Sequence, residues 1–289
     1  MLRDLIKLAR PRQWIKNGFV LLPVPFALAD GASLGVWVLA LGLLGFCLIN
    51  SAVYTLNDIC DTDTDRLHPD KRGRPLASGT VSRQAASAAA AALGAAGFTL
   101  CGLTEIPSVL VLALVYVAVN LAYSLGAKNL ALVDVLLLCS GYVIRVLLGC
   151  ALVAAEPSDW LLLCTSMLAL FLAFGKRRGD LIAGLSSEHR ASLGGYNLSF
   201  LDQALSISAG IALLSYALYG HEAPAFVDGR ELAGLPFVAF GIFEYLRVVF
   251  TQGVGGDPVE IAYRSRSLQL CLLGWGAATA WSLGLLQMP

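Results

Sequence analysis

Residues 36–75 read "VWVLALGLLGFCLINSAVYTLNDICDTDTDRLHPDKRGRP". An apolar run, long enough to cross a bilayer in the roughly 20 residues a helix needs, passes directly into four aspartates within eight positions. A basic stretch follows at once. The apolar part decides the fold. Its residues do not alternate as barrel strands would, and lipid offers unpaired backbone groups no partner outside helices and closed barrels. The stretch therefore reads as a transmembrane helix whose end carries an acidic cluster.

The same pattern repeats outward from it. The chain has 289 residues, of which 57% are apolar against about 45–50% in ordinary soluble domains. Only 14% are charged, and the mean hydropathy is +0.72. Nine candidate spans follow, near 14–30, 34–56, 84–103, 108–126, 131–153, 160–175, 197–219, 232–250 and 267–287. Pro23 and Pro25 interrupt the first, whose basic start and "FALAD" also imitate a signal peptide. Eight further spans favour an uncleaved anchor. The predicted fold class is thus an all-α integral membrane bundle of nine transmembrane helices, one domain over residues 1–289.

The net charge of zero hides an asymmetry. Basic residues precede span 1, follow spans 2, 4 and 6, and flank the end of span 8; only Arg145 and Arg230 lie elsewhere. The other loops carry Asp30, Glu105, Glu156, Asp159, Glu222, Asp228 and Glu231. The positive-inside rule then puts the N-terminus in the cytoplasm and the C-terminus outside, which an odd number of spans satisfies. The expected location is a bacterial-type inner membrane, with the motif loops facing the cytoplasm. The bilayer is the expected partner, nucleic acid is not, and a homo-oligomer is compatible with the sequence. The seven cysteines form no C-x-x-C pair and six lie in apolar segments, where cysteine acts as a small hydrophobe. Cys60, within the acidic motif, reads as a spacer. "SAAAAALGAAG" in span 3 suits close helix packing.

If span 2 continues as helix, Asp58, Asp61 and Asp65 share one face at i, i+3 and i+7. Asn57 borders that face and Asp63 points nearly the other way. Crowded carboxylates repel unless a cation relieves them. Three hard oxygen ligands at a membrane edge suit Mg2+, which keeps waters and takes remaining ligands from a substrate phosphate. A solvated acidic loop is the plainer reading. The cations that follow, His68, Lys71, Arg72 and Arg74, favour a metal–phosphate site, since they could hold phosphate oxygens the metal leaves free. Retaining this loop in the cytoplasm is the other use for them.

"NDICDTDTDRLHPDKRGRP" resembles the first aspartate-rich signature of the UbiA superfamily of intramembrane prenyltransferases, N-D-x-x-D-x-x-x-D followed by H-P-x-K-x-x-R-P. Asn57, Asp58, Asp61, Asp65, His68, Pro69, Lys71, Arg74 and Pro75 match it. The resemblance implies nine helices with the motif loops on the cytoplasmic face. Ordinary members carry a second aspartate-rich motif between spans 6 and 7. The matching stretch here is "FGKRRGDL", with Lys176, Arg177 and Arg178 and the single acid Asp180. That stretch, with "LARPRQWIKN", "YSLGAKNLALVDVLLLCSGYVIRVLLG" and "GGDPVEIAYRSRSLQL", resembles the decaprenyl-phosphate phosphoribosyltransferase branch. The branch commonly has an Asp-Arg pair before the last span, where this chain has Ser265 and Arg266.

The resemblance implies transfer of 5-phosphoribosyl from phosphoribosyl pyrophosphate (PRPP) to a polyprenyl phosphate, releasing pyrophosphate. Asp58, Asp61 and Asp65 would hold Mg2+ against the departing pyrophosphate, with Asn57, Lys71, Arg72 and Arg74 beside it. Lys16, Lys128, Lys176, Arg177 and Arg178 would position the 5-phosphate or the acceptor phosphate. Tyr123, at the head of its stretch, joins the candidate substrate-binding residues. So do Asp134 and Arg145, which share a face of span 5 roughly 16 Å apart at the helical rise. An arginine near mid-membrane is costly and usually faces an interior cavity; Arg145 could also pair structurally with a carboxylate or carbonyls. One alternative is an ordinary prenyltransferase joining an isoprenyl diphosphate to an aromatic acceptor, against which the 176–178 cations argue. Another is a lipid or ion transporter, against which the metal motif and the lack of a clear internal repeat argue.

Overall fold

The computed structural model describes residues 2–33, 35–67, 71–188, 190–251 and 258–286. Among the described residues there is no strand. Six helices among the described residues are long and apolar enough to cross a membrane: α3 (Val36–Cys60), α5 (Arg83–Gly102), α6 (Pro107–Ser124), α7 (Val133–Leu152), α8 (Asp159–Ile182) and α9 (Leu198–Glu222). Of the short helices, α1 (Leu2–Ala9) and α2 (Val24–Ala29) precede them, α4 (Thr62–Leu67) follows α3, and α11 (Pro258–Arg264) comes after α9. The remaining two, α10 (Leu235–Thr251) and α12 (Arg266–Ser282), have 17 residues each. At the helical rise that is about 26 Å, a little under the hydrocarbon thickness.

Two expectations change at this level. The predicted first span is not one helix: a 3-10 helix over Pro11–Leu21 is followed by the six-residue α2. Pro23 and Pro25 supply no backbone N–H and disfavour helix at the residue before them, so a continuous ladder cannot cross this point. The second change is at α8, expected to end near residue 175. It runs two turns further to Ile182, which puts Lys176, Arg177 and Arg178 on a helix rather than in a loop.

Chain contacts divide the protein into two compact units. The first comprises Met1–Leu22, Leu34–Leu130 and Ile144–Ala155. At its centre α3 and α5 approach to backbone distance. A Cβ on Gly97 would stand 2.7 Å from the Gly45 carbonyl oxygen and 2.9 Å from the Ile49 nitrogen. The Ala/Gly-rich sequence of α5 therefore does what its composition predicts, admitting a neighbouring backbone that a larger side chain would hold off. Phe46, Ile49, Cys101, Val109, Tyr116 and Leu148 fill the core around this seam. The N-terminal segment runs along α3, where Trp14 Nε1 donates to Ser51 Oγ at 2.9 Å and Asn17 Nδ2 to Cys47 Sγ at 3.1 Å.

The second unit comprises Pro23–Ser33, Ala131–Val143 and Glu156–Pro289. Here α8 packs on α9, with Phe171, Phe174, Leu201, Leu205, Tyr245 and Val249 in the core. Side-chain caps set the starts of three helices. Ser82, Asn197 and Ser265 accept from the backbone N–H groups of Ala85, Phe200 and Leu268 respectively. The Ser265 cap bears on the position where the phosphoribosyltransferase branch commonly has Asp. Ser and Asp satisfy an N-cap about equally well, so the exchange preserves the start of α12.

Candidate active site

The acidic motif straddles the junction of α3 and α4. Asp61 ends α3 with φ −93° and ψ 3°, so the helix predicted to continue is interrupted there. Helical hydrogen bonds nevertheless cross the junction: Asp61 N–H donates to the Asn57 carbonyl at 2.9 Å and Asp65 N–H to the Asp61 carbonyl at 2.8 Å. The phase of the side chains survives. Asp58 and Asp65 are 2% and 3% exposed, Asp61 is half-buried, and Asp63 faces solvent.

Burying carboxylates is tolerable only when they are paired and hydrogen-bonded. Each of the three has a cation. Asp58 accepts from Arg10 and, at 3.1 Å, from Arg74 Nη1. The same nitrogen lies 2.6 Å from Asp65, whose pKa is raised because burial outweighs the opposing pull of the Arg74 guanidinium. Asp61 pairs with Lys128 on one oxygen and accepts from Asn57 Nδ2 at 3.1 Å on the other. Ser124 donates to Asn57 Oδ1 at 3.0 Å. Of the other sequence candidates near the motif, Lys16, Lys71 and Tyr123 are half-buried and Arg72 is exposed. His68 and Pro69 lie outside the described residues.

Arg10 and Ser124 belong to this constellation although the sequence reading left them out. Arg10 sits in a left-handed backbone conformation (φ 49°) before Pro11, with its guanidinium over the Tyr54 ring at 5.2 Å. Its contact with Asp58 sets it apart from the four other basic residues near the N-terminus, and no spacing along the chain encodes that contact.

The donor chemistry suits a hard divalent cation. One guanidinium nitrogen touches both Asp58 and Asp65, so these two carboxylates already converge on a single positive charge. Among the described residues, no three His, Cys, Asp or Glu side chains are gathered as a complete metal cage. Asp61 is engaged by Lys128 and Asn57 instead.

The sequence grouped the cations at the end of α8 as one set, and the structure gives its two arginines different partners. Successive helical residues are about 100° apart, and the three side chains go different ways. Arg177 is 1% exposed; its Nε donates to Asp134 at 2.7 Å and its Nη1 to Asp180 at 2.8 Å. Arg178 donates to Asp202 at 2.6 Å and to the Val249 carbonyl at 3.0 Å, and lies over the Phe250 ring. Lys176 is half-buried. Asp134, expected among the substrate contacts, is completely buried with both oxygens engaged. Its charge is therefore directed at protein groups. Arg145 is 4% exposed; it donates to Asn17 Oδ1 at 2.9 Å and to the Tyr116 hydroxyl at 3.1 Å, and lies over the Phe46 and Tyr116 rings. Those contacts join the N-terminal segment, α3, α6 and α7.

The sequence pattern of the UbiA prenyltransferase family matches residues 18–253, most of the chain. The chain belongs to the UbiA prenyltransferase family. It is an all-helical, multi-pass membrane protein of that family. Decaprenyl-phosphate phosphoribosyltransferase from Mycobacterium tuberculosis is 34% identical, over 97% of this chain and 96% of that one. The protein of the same name from Mycolicibacterium smegmatis is 33% identical, over 98% and 94%. Among solved structures, a UbiA homologue from Archaeoglobus fulgidus bound to GPP and Mg2+ superposes with a TM-score of 0.71, covering 97% of both chains. At 19% identity that likeness establishes the UbiA fold and no finer role.

Proposed function

We propose that the protein transfers a 5-phosphoribosyl group from PRPP to a polyprenyl phosphate and releases pyrophosphate. The observation that carries this reading is the near-full-length similarity, at about one-third identity, to proteins named decaprenyl-phosphate phosphoribosyltransferase. The motif geometry supports it: buried carboxylates and basic side chains alternate in one small volume, as binding of a metal–diphosphate requires.

In this reading Asp58, Asp61 and Asp65 would hold Mg2+, and the ion would supply charge neutralisation for the leaving pyrophosphate. Arg74 and Lys128, paired with those carboxylates, are offered competing acceptors by an arriving diphosphate. Lys71 and Arg72 add charge from the same loop, and Asn57 keeps Asp61 oriented. Lys16, Tyr123 and Lys176 complete the proposed binding set. An ionised polyprenyl phosphate is already a nucleophile and needs no general base, so catalysis rests on positioning and electrostatics. The phosphate oxygen forms its bond at the anomeric carbon as the bond to pyrophosphate breaks. A single displacement on the α-configured donor gives a β product. The active site would face the cytoplasm, where PRPP is available, in a nine-span arrangement.

A conventional prenyl transfer to an aromatic acceptor is the second reading, favoured by the fold it shares with a homologue bound to GPP. Purified protein with magnesium, offered labelled PRPP and labelled prenyl diphosphate side by side, separates the two. Mass spectrometry should find a phosphoribosyl lipid with release of pyrophosphate. A prenylated aromatic with PRPP untouched would overturn the phosphoribosyl reading and leave the family intact.

A further inference from the structure

The second unit contains a buried polar cluster built on Asp134. Its Oδ1 accepts from the Tyr196 hydroxyl at 2.6 Å. Its Oδ2 accepts from Arg177 Nε at 2.7 Å and from Ser192 Oγ at 3.0 Å. Arg190 Nη2 stands 3.7 Å from that same oxygen, and Arg190 Nε donates to Ser192 Oγ at 3.2 Å. The Tyr196 oxygen in turn accepts from the Leu132 N–H at 2.7 Å. Burial and then the bond to Asp134 push the Tyr196 phenol pKa up, so it stays protonated and donating.

One carboxylate thus ties together the start of α7, the end of α8 and the linker from Arg190 to Tyr196. Balancing Arg177 alone would not call for this arrangement, because Asp180 also lies 2.8 Å from Arg177. What Asp134 additionally fixes is the linker and, through Ser192, the guanidinium of Arg190. Arg190 is the member of the cluster with a side chain that reaches outward: it is 23% exposed where Arg177 is 1% and Asp134 is 0%.

We propose that Asp134 is a positioning residue that presents Arg190 to a phosphomonoester group of a substrate. The inference rests on the phosphoribosyl-transfer reading. That chemistry has two sources of such a group, the 5-phosphate of PRPP and the head of the polyprenyl phosphate. A guanidinium held by Nε to Ser192 and drawn to a buried carboxylate is pre-organised, so binding an anion costs it little further ordering.

The test uses the full-length protein and varies each substrate separately. Arg190→Gln should raise the KM of one of the two phosphate substrates about tenfold, the scale of losing one charge-assisted contact, with the thermal midpoint near that of the wild type. The substrate affected identifies the source of the phosphate. Asp134→Asn should raise the same KM and lower the midpoint, because Arg177 is left with less compensation. Adding Arg177→Gln removes that imbalance, so the double variant should regain stability while the KM stays high. If the double variant regains both, Asp134 serves only to balance Arg177 and the proposal falls. It also falls if Arg190→Gln changes neither KM. Should the wild type consume no PRPP, equilibrium binding of a short polyprenyl phosphate decides. Weaker binding by Arg190→Gln would then retain Arg190 as a phosphate contact while the donor assignment fails, and equal binding would overturn both.

Discussion

Asp63 and Asp61 are two positions apart, yet the fold treats them oppositely. Asp61 is drawn to Lys128 and Asn57, whereas Asp63 is solvent-facing and paired with Arg66 one turn on. A generic acidic patch would be insensitive to which carboxylate is neutralised. A geometric site would not be. Asp61→Asn should lower turnover by roughly 10²-fold or more, the scale of losing an electrostatic contact at a charged reaction centre. Asp63→Asn should remain within about twofold, as expected of an exposed substitution. Steady-state rates of the two variants across a magnesium titration check this, and equal losses would remove the one-face assignment. The face was legible in the sequence because i, i+3, i+7 spacing survives the break at Asp61. The partners were not. Arg10 and Ser124 lie 48 and 67 residues from the groups they contact, and only packing brings them there.

At the scale of elements, the seam between α3 and α5 and the length of α8 matter most. Gly45 and Gly97 let two helix backbones meet. Gly97→Val should therefore destabilise the protein by about 1–3 kcal/mol, as overpacking of a close contact does. Gly102→Ala, on the same helix with nothing within 4 Å of its added Cβ, should not destabilise it. Thermal midpoints in detergent read the difference, and equal midpoints would contradict the close approach. The α5 composition announced this seam, since small residues in an apolar run have few other uses. The extension of α8 was hidden by its own chemistry. "GKRRGDL" looks like a solvated loop until Asp134, Asp180 and Asp202 are found against its arginines. Pairing lets a polar sequence stay helical beyond the apolar run, and it separates three adjacent cations into three environments.

For the whole molecule, the charge asymmetry of the loops gives an expectation that the helices alone do not. The N-terminus should lie in the cytoplasm and the C-terminus on the opposite side. Reporter fusions active on only one side of the membrane, placed at each terminus in turn, test it. Termini on the same side would overturn both the orientation and the odd number of crossings. The sequence by itself determined the all-helical membrane class, the place of the acidic motif at the end of α3, and the shared face of Asp58, Asp61 and Asp65. These follow from bilayer thickness and helical period, which act along the chain. Tertiary structure alone decided which charges are enclosed and by what. It buried Asp134 against Arg177, set Arg145 among Asn17, Tyr116 and Phe46, and brought Arg10 to Asp58. The reason is electrostatic. In a low-dielectric interior a charge must find a partner wherever the fold supplies one, and that partner need not be near in sequence.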